Sequence, residues 1–537
     1  MYKIKLIQDN PIVGDIKGNF DLAVKHITQA ISEKTDLVIF SEMFLTGYPP
    51  EDLLLREDFI KDSEEYLEKI TKLSDKISII IGSPIKESDE IFNSAVFLSA
   101  GNLSSIYKKK NLPNYKEFDE KRYFKNGEEN KVFEDKGLRF GITICEDIWD
   151  EKVVEDVVSQ KIDILLNISA SPFTTEKKNQ RETMLSKYFL EYKVPMIYVN
   201  QVGGQDELVF DGSSLIIGAK DKKLIRLKSF EVDQCLVSYD ENLSCERTED
   251  VLAKANEISD TYNALVLGTK DYVNKNNFNG VIIGSSGGID SALTTTIACD
   301  ALGPESVQTV MMPFKYTAEM SLQDAKQLAS NLKISHREIP ILEMFNAFKT
   351  SLESSLESKD GDKTDENLQS RCRGVTLMAL SNNSGSLVLA TGNKSESAVG
   401  YSTLYGDTAG GFSVIRDVDK TTVYDLAKYR NSINQVIPER IITREPSAEL
   451  APDQKDTDTL PPYEILDPII RMYVEEDKNK NEIVSEGFSE EDVIRIIRLV
   501  DLNEYKRRQV PLGIKISPRN FGKDRRYPIT NLWNNKI

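Results

Sequence analysis

The stretch Gly284-Ser285-Ser286-Gly287-Gly288-Ile289-Asp290-Ser291-Ala292 is the point from which the fold of the chain is read. The apolar run before it, Val281-Ile282-Ile283, has the length and composition of a buried strand. After it, Ile289, Leu293 and Ile297 recur every four residues with small Ala292 and Ala298 between them, which predicts a helix face. A strand, a glycine turn and a helix start in that order aim several backbone N–H groups at one point. The helix N-terminus adds partial positive charge there, so the point suits a phosphate. Glycines are needed because a Cβ would block close approach of phosphate oxygens. The lysine of a Walker A loop is absent, which disfavours an ordinary P-loop NTPase. A tight turn without a ligand is the plainer alternative; the serines, the paired glycines and the aspartate together weigh against it.

Ser286-Gly287-Gly288-Ile289-Asp290-Ser291 resembles the pyrophosphate loop of the ATP-pyrophosphatase superfamily. Such enzymes cleave ATP between its α and β phosphates and adenylate an acid or amide oxygen. The resemblance implies AMP and pyrophosphate as products and leaves the acceptor unnamed.

At 537 residues the chain exceeds one core, so two or more domains are expected. The 40% of hydrophobic residues suffices for sizeable cores. No apolar run approaches the ~20 residues of a membrane span. The start, Met1-Tyr2-Lys3-Ile4-Lys5-Leu6-Ile7, passes straight into a strand pattern without a signal-peptide core. A cytoplasmic setting is therefore expected, with Cys145, Cys235, Cys245, Cys299 and Cys372 as thiols. A net charge of −18 argues against nucleic acid or an anionic membrane as partner. Only two histidines occur. His26, in a helix-like stretch, and His336, before a strand, both read as surface residues, so a nucleophile here would use a base other than histidine.

In the first half, apolar runs predict strands at 3–8, 36–41, 77–83, 94–99, 138–144, 162–168, 195–200 and 213–218, alternating with helices as in an α/β domain. Glu42 stands just past one run and Cys145 just past another. Between them, Lys108-Lys109-Lys110 offers one lysine that could point inward. Strand ends are where α/β folds place reactive groups. Singly, each has an ordinary structural explanation: a solvated glutamate, a surface lysine, a small buried thiol. Glu146 and Asp147 would raise the Cys145 pKa unless a cation offsets them.

Together these segments resemble the nitrilase superfamily, whose Glu–Lys–Cys triad needs no histidine. The resemblance implies an N-terminal αββα sandwich with Glu42 as general base, Lys109 as the oxyanion-stabilising lysine and Cys145 as nucleophile; Lys108 and Lys110 are the register alternatives. Leu112-Pro113-Asn114-Tyr115, Phe118–Phe124, Asn167–Phe173 and Asn200–Glu207 are similar to the glutaminase domain of glutamine-dependent NAD synthetases. By that resemblance Tyr115, Ser171 and Lys177 hold glutamine. Lys177 replaces a frequent arginine, and Lys116-Glu117 is a mild departure.

Residues 239–260 are charged and lack strand patterning, which places a domain boundary there: 1–245 as the glutaminase domain and 246–537 as the synthetase domain. The acidic stretches 353–366 and 475–492 read as solvated loops. Beyond the boundary, strands and helices alternate at 281–283, 289–302, 307–312, 318–332, 334–340, 367–382 and 386–391, which predicts a Rossmann-like, doubly wound parallel sheet. Thr391-Gly392-Asn393-Lys394-Ser395-Glu396 follows the last of these strands, where a carboxylate can share Mg²⁺ with phosphates.

Asn367–Gly374, Gly400–Asp407, Lys420-Thr421, Pro446–Leu450 and Tyr505–Gln509 also look like the NAD synthetase family. The resemblance implies that Gly284, Ser285, Ser286, Gly287, Gly288, Ile289, Asp290, Ser291 and Thr391 bind ATP. Asn367, Glu396, Tyr401, Ser402, Thr403, Leu404 and Lys506 would bind deamido-NAD, with Asp290 and Glu396 at the metal. Ser413–Arg416 and Arg444-Glu445 depart from the Asn-Pro-x-Lys and Lys-Pro expected there. The run Lys506–Arg526 holds eight basic residues and one acidic one. It lacks the aromatic platforms of a single-strand binder and is expected to suit a small phosphate-rich substrate.

The family resemblance implies amidation of deamido-NAD through an adenylate, with ammonia made at Cys145 and channelled away from water, in a homo-oligomer. Two rivals stand beside it: another amidating ATP pyrophosphatase, of the GMP- or asparagine-forming kind, and a catalytically idle nucleotide sensor. The first would use a histidine-assisted or N-terminal cysteine, which an internal Cys145 in a histidine-poor chain disfavours.

Overall fold

The near-continuous apolar runs of the first half become strands buried on both faces, because each is covered by a second sheet on one side and by helices on the other. In the computed structural model, which describes residues 1–218, 224–240, 242–245, 256–357, 362–451 and 454–533, the chain divides into two units, Met1–Ala255 and Asn256–Ile537. The far side of the boundary expected at 245/246 lies outside the described residues.

The first unit holds two large sheets. One runs, in spatial order, Leu243–Cys245, Asp233–Tyr239, Tyr2–Gln8, Leu37–Ile39, Ser78–Glu87, Glu90–Ser99 and Asn102–Lys108. The other runs Leu224–Arg226, Leu215–Ile217, Met196–Asn200, Ile164–Ser169, Leu138–Ile144 and Val132–Asp135. Side chains alternate between the faces of a strand. Leu6, Ile39, Ile80, Ile142, Leu166 and Ile197 therefore meet in a core between the sheets. Their sequence neighbours turn outward. Ile7, Val38, Ile79 and Ile81 pack with Ala23, Ile27, Leu67 and Ile70 of helices Ile16–Ser32 and Glu57–Leu73. On the other outer face Leu165, Met196 and Tyr198 meet Val154, Val157, Leu185 and Phe189 of helices Glu151–Val158 and Lys177–Tyr192. The result is the αββα sandwich.

The second unit carries a five-stranded, all-parallel sheet in the order Ser335–Glu338, Val307–Met311, Val281–Ser285, Leu387–Ala390, Phe412–Ser413. Its first strand in sequence lies third, so the winding reverses between Val281–Ser285 and Leu387–Ala390. The crevice beyond the carboxyl ends of those two strands is where such sheets bind ligands. Helix Ile289–Leu302 has the bounds expected from its apolar spacing. A helical cluster built on Leu466, Ile470, Ile496, Ile497 and Val500 packs with Ala398 and Val399 of helix Lys394–Val399 in the same unit.

Apolar patterning does not reveal the edge strands. Asn102–Lys108 is half solvent-facing, and Asp233–Tyr239 buries only Cys235 and Val237. The stretch expected to be unpatterned from 239 thus begins with Tyr239 paired to Tyr2.

Strand Ser78–Glu87 holds the segment after Leu37–Ile39 at close range: Gly82 N–H donates to the Ser41 carbonyl (3.2 Å) and the Gly82 carbonyl accepts from Leu45 N–H (3.3 Å). A Cβ on Gly82 would lie 2.2 Å from Met43 N and 2.6 Å from Glu42 C. Gly82→Ala is therefore expected to destabilise the first unit by about 1–3 kcal/mol through overpacking. Thermal unfolding of the purified variant measures this, and an unchanged transition would show that residues 41–43 yield freely.

Candidate active sites

Cys145 follows strand Leu138–Ile144 and opens the short helix Cys145–Trp149 with φ of 45°, a left-handed backbone that costs a non-glycine residue energy. The turn presents the thiol at the strand end, 6% exposed. Asp147 fixes the turn against the lysine triplet. One of its oxygens accepts from the backbone of Asn111 (2.7 Å) and Lys110 (3.1 Å), the other from Tyr107 Oη (2.8 Å) and Ile144 N–H (3.1 Å). Burial pushes the Asp147 carboxyl up to about 6, against those donors.

The triplet resolves by burial. Lys108 pairs with Glu87 (2.6 Å) and Lys110 with Asn130 (3.1 Å), whereas Lys109 is completely buried. Its Nζ donates to Glu42 Oε1 and Glu120 Oε1, both at 2.8 Å. Glu42 is also fully buried, and accepts from Asn93 Nδ2 (2.7 Å) and Ala170 N–H (2.8 Å). Burial and the Glu42 carboxylate push the Cys145 thiol well above its ordinary range, while Lys109 and Lys177 pull it down and Glu146 adds a smaller push. The net direction favours the protonated thiol. Lys109, opposed by burial, is held in its charged form by Glu120 and Glu42.

The residues expected to hold glutamine stand around this centre. Tyr115 Oη donates to Glu146 (2.7 Å) and its ring meets Phe118 edge-on, with Lys177 Nζ 5.4 Å from the centre of the Phe118 ring. Ser171 is 1% exposed, and its hydroxyl has no hydrogen-bond partner among the described residues. An unmet buried hydroxyl in such a place suits a polar ligand.

In the second unit, Gly284, Ser285, Ser286, Gly288, Ile289, Asp290 and Ser291 line one cavity with Thr391, Glu396 and Tyr401. Gly287, at φ 77°, backs onto Ser321, whose carbonyl would lie 2.5 Å from a Cβ. Ser286 and Ser291 hydroxyls bond each other at 3.1 Å. Asp290 and Glu396 converge on Lys420 Nζ at 2.5 and 3.2 Å. Burial pushes the Glu396 carboxyl up to about 8, against Lys420 and with Asp290 adding to the rise. Two hard carboxylates gathered around one cation are a donor set that fits Mg²⁺, which takes one or two carboxylates beside phosphate oxygens. Asn367 accepts from the Thr403 hydroxyl (2.8 Å), and Lys506 Nζ donates to the carbonyls of Gly400 (2.8 Å) and Ser402 (3.0 Å). The Leu404 carbonyl accepts from Arg371. Asn367 is thus tied to Thr403 and Lys506 to Gly400 and Ser402, but Asn367, Ser402, Thr403, Leu404 and Lys506 do not line the cavity.

Several expectations need correction. His26 is buried and bonds Asp9 at 2.6 Å, because its helix face turns to the sheet rather than to solvent. Most of the basic run 506–526 is neutralised within the fold: Arg507 and Arg525 on Glu504, Lys515 on Asp524, Arg519 on Asp477. Lys506 donates instead to the backbone carbonyls of Gly400 and Ser402. Arg416, one of the departures, is a structural clamp on the carbonyls of Pro511 (2.7 Å) and Arg507 (3.2 Å). Glu120 and Lys420 escaped assignment altogether. The available signal for Glu120 was an acidic residue framed by Phe118, Tyr123 and Phe124, and for Lys420 its place at a helix start two residues past Val418.

Residues 3–239 match the family model described as carbon-nitrogen hydrolase, and residues 261–510 the one described as NAD synthase. Fold and sites thus define a carbon–nitrogen hydrolase fused to an ATP-pyrophosphatase synthase. The chain is 44% identical over 534 residues to the glutamine-dependent NAD(+) synthetase of Acinetobacter baylyi, covering 99% of each, and 42% identical to that of Thermotoga maritima, covering 98% of each. The solved glutamine-dependent NAD+ synthetase from Acinetobacter baumannii, in complex with ADP, superposes with a TM-score of 0.80 at 41% identity over 99% of both chains. The chain belongs to the glutamine-dependent NAD(+) synthetases.

Two outcomes follow from the first centre. Ser171→Ala removes a hydroxyl with no internal partner, so folding should not suffer. If the hydroxyl bonds glutamine, KM should rise roughly 2- to 13-fold, the loss of one neutral hydrogen bond. An unchanged KM would remove Ser171 from the glutamine site. Glu120→Gln keeps an acceptor for Lys109 but withdraws its charge, and glutamine hydrolysis should fall on the order of 10²-fold through mispositioning. Normal turnover would show that Glu42 alone holds the lysine.

Proposed function

We propose that this protein converts deamido-NAD to NAD with ATP and glutamine, giving AMP, pyrophosphate and glutamate. The observation that carries the reading is Lys109, wholly buried between two carboxylates beside the Cys145 thiol, in a chain whose other unit has a glycine–serine loop beyond the strand at its switch point.

In the first unit, Cys145 Sγ attacks the side-chain amide carbon of glutamine while Glu42 takes the thiol proton. Lys109 stabilises the oxyanion, with Ser171, Tyr115 and Lys177 orienting the substrate. Collapse of the tetrahedral intermediate returns the proton to the departing nitrogen and leaves a thioester. Water, deprotonated by Glu42, then releases glutamate.

In the second unit, the backbone of residues 284–291 cradles the ATP phosphates, and Thr391 lies beside it. Asn367, Tyr401, Ser402, Thr403, Leu404 and Lys506 would orient deamido-NAD so that its nicotinate carboxylate attacks the α-phosphorus and pyrophosphate leaves. Mg²⁺, held by Asp290 and Glu396, would neutralise charge on the phosphates when bound. Ammonia then attacks the acyl adenylate carbon and expels AMP. Water would destroy that adenylate, so a protected passage for ammonia belongs to the same reading. So do division of labour at the 245/246 boundary, a cytoplasmic setting and homo-oligomeric assembly.

Cys145→Ala should abolish glutamine hydrolysis and glutamine-dependent NAD formation together, by orders of magnitude, while NAD formation from added ammonium persists. In the ammonium reaction AMP and pyrophosphate should appear in equal amounts. ADP and phosphate would overturn the adenylation step, and retained glutamine use would move the nucleophile elsewhere.

A further inference from the structure

Two thiols outside both active centres lie against each other. Cys235 stands in strand Asp233–Tyr239, and Cys245 ends strand Leu243–Cys245. The strands pair antiparallel with Val237 opposite Cys245. Alternation puts Cys235, Val237 and Cys245 on one face, and strand twist draws the diagonal pair together. The two sulfurs are 2.9 Å apart, against about 2.05 Å in an S–S bond. Cys235 is 3% exposed within the core between the sheets, and Cys245 is partly exposed against it. The less buried cysteine therefore has the fully buried one held as its neighbour, the arrangement of a peroxidatic and a resolving thiol. The remaining cysteines are placed differently: Cys145 serves the first centre, and Cys299 and Cys372 lie in the second unit.

We propose that Cys235 and Cys245 are a reversible oxidation site, closing to a disulfide when the protein meets a peroxide. Cys245 sulfur attacks one peroxide oxygen, the O–O bond breaks, and the other oxygen leaves as water with the thiol proton. Cys245 is then a sulfenic acid. Cys235 sulfur attacks it, the S–O bond breaks, and the hydroxyl leaves as a second water with the Cys235 proton. The two thiols lose two electrons and the peroxide gains them. An external dithiol reverses the bridge by exchange. Closure ties the short last strand of the first unit's sheet to its neighbour, just before the second unit begins at Asn256.

The test uses the full-length Cys145→Ala protein, so that the nucleophile does not compete for oxidant. After hydrogen peroxide, remaining thiols are alkylated and the digest is analysed by mass spectrometry. A 235–245 linkage that is two hydrogens lighter, unalkylated, and restored by dithiothreitol is the expected result. In a Cys235→Ser background Cys245 should instead pass to the sulfinic acid, while ammonium-dependent NAD formation stays unchanged. Full alkylation of both cysteines after peroxide, or Cys245 oxidising to sulfinic acid equally with Cys235 present, would overturn the proposal.

Discussion

The first unit depends on one charge held out of water. Lys109 has no exposed surface, and an ammonium in that position is tolerable only because Glu42 and Glu120 each reach it at 2.8 Å. Removing one partner from such a buried set typically costs about 3–5 kcal/mol, since the charge that remains is uncompensated. The cluster is therefore as demanding on the fold as a large buried apolar side chain, whose truncation costs about 3–5 kcal/mol. It requires Asn93 and Ala170 N–H on Glu42, Tyr48 Oη on Glu120 (2.7 Å), and Gly82 without a side chain behind residues 41–43. The same demand holds a carboxylate and an ammonium beside the Cys145 thiol, and neither can drift into solvent.

The second unit repeats the device in another setting. Lys420 bridges Asp290 and Glu396, while Asp456 is bonded to Tyr401 (3.3 Å) and Tyr463 (2.9 Å) close by. Here the carboxylates and the lysine line a cavity rather than a sealed core, although Lys420 itself is only 2% exposed.

How far the sequence speaks follows from which forces leave a local mark. Strands buried on both faces are continuous apolar runs, which is why Leu138–Ile144 and Ile164–Ser169 are legible. Helix Ile289–Leu302 announces itself through Ile289, Leu293 and Ile297. Edge strands such as Val132–Asp135 carry half their surface in water and look like loops. Within the centres, Glu42 and Cys145 are marked by their strand ends, but Lys109 is separable from Lys108 and Lys110 only by burial, a property of the assembled sheets. Glu120 is less visible still, since its partner is eleven positions away and no spacing rule joins them. The basic run 506–526 misleads for the converse reason: its acidic partners Asp477, Asp501 and Glu504 come from outside the run.

On the mechanism proposed above, with Glu42 as base, its complete burial would also govern the chemical form in which nitrogen leaves the first centre. A carboxylate with no solvent contact has nowhere to discard the proton it takes from Cys145 except onto the departing amine. One proton goes in from sulfur and the same one goes out on nitrogen, so the product is uncharged ammonia rather than ammonium. Only the uncharged form has a lone pair for attack on an acyl adenylate. On that reading, a glutamate sealed in the sandwich would release nitrogen ready to react, with no later deprotonation required of the second unit.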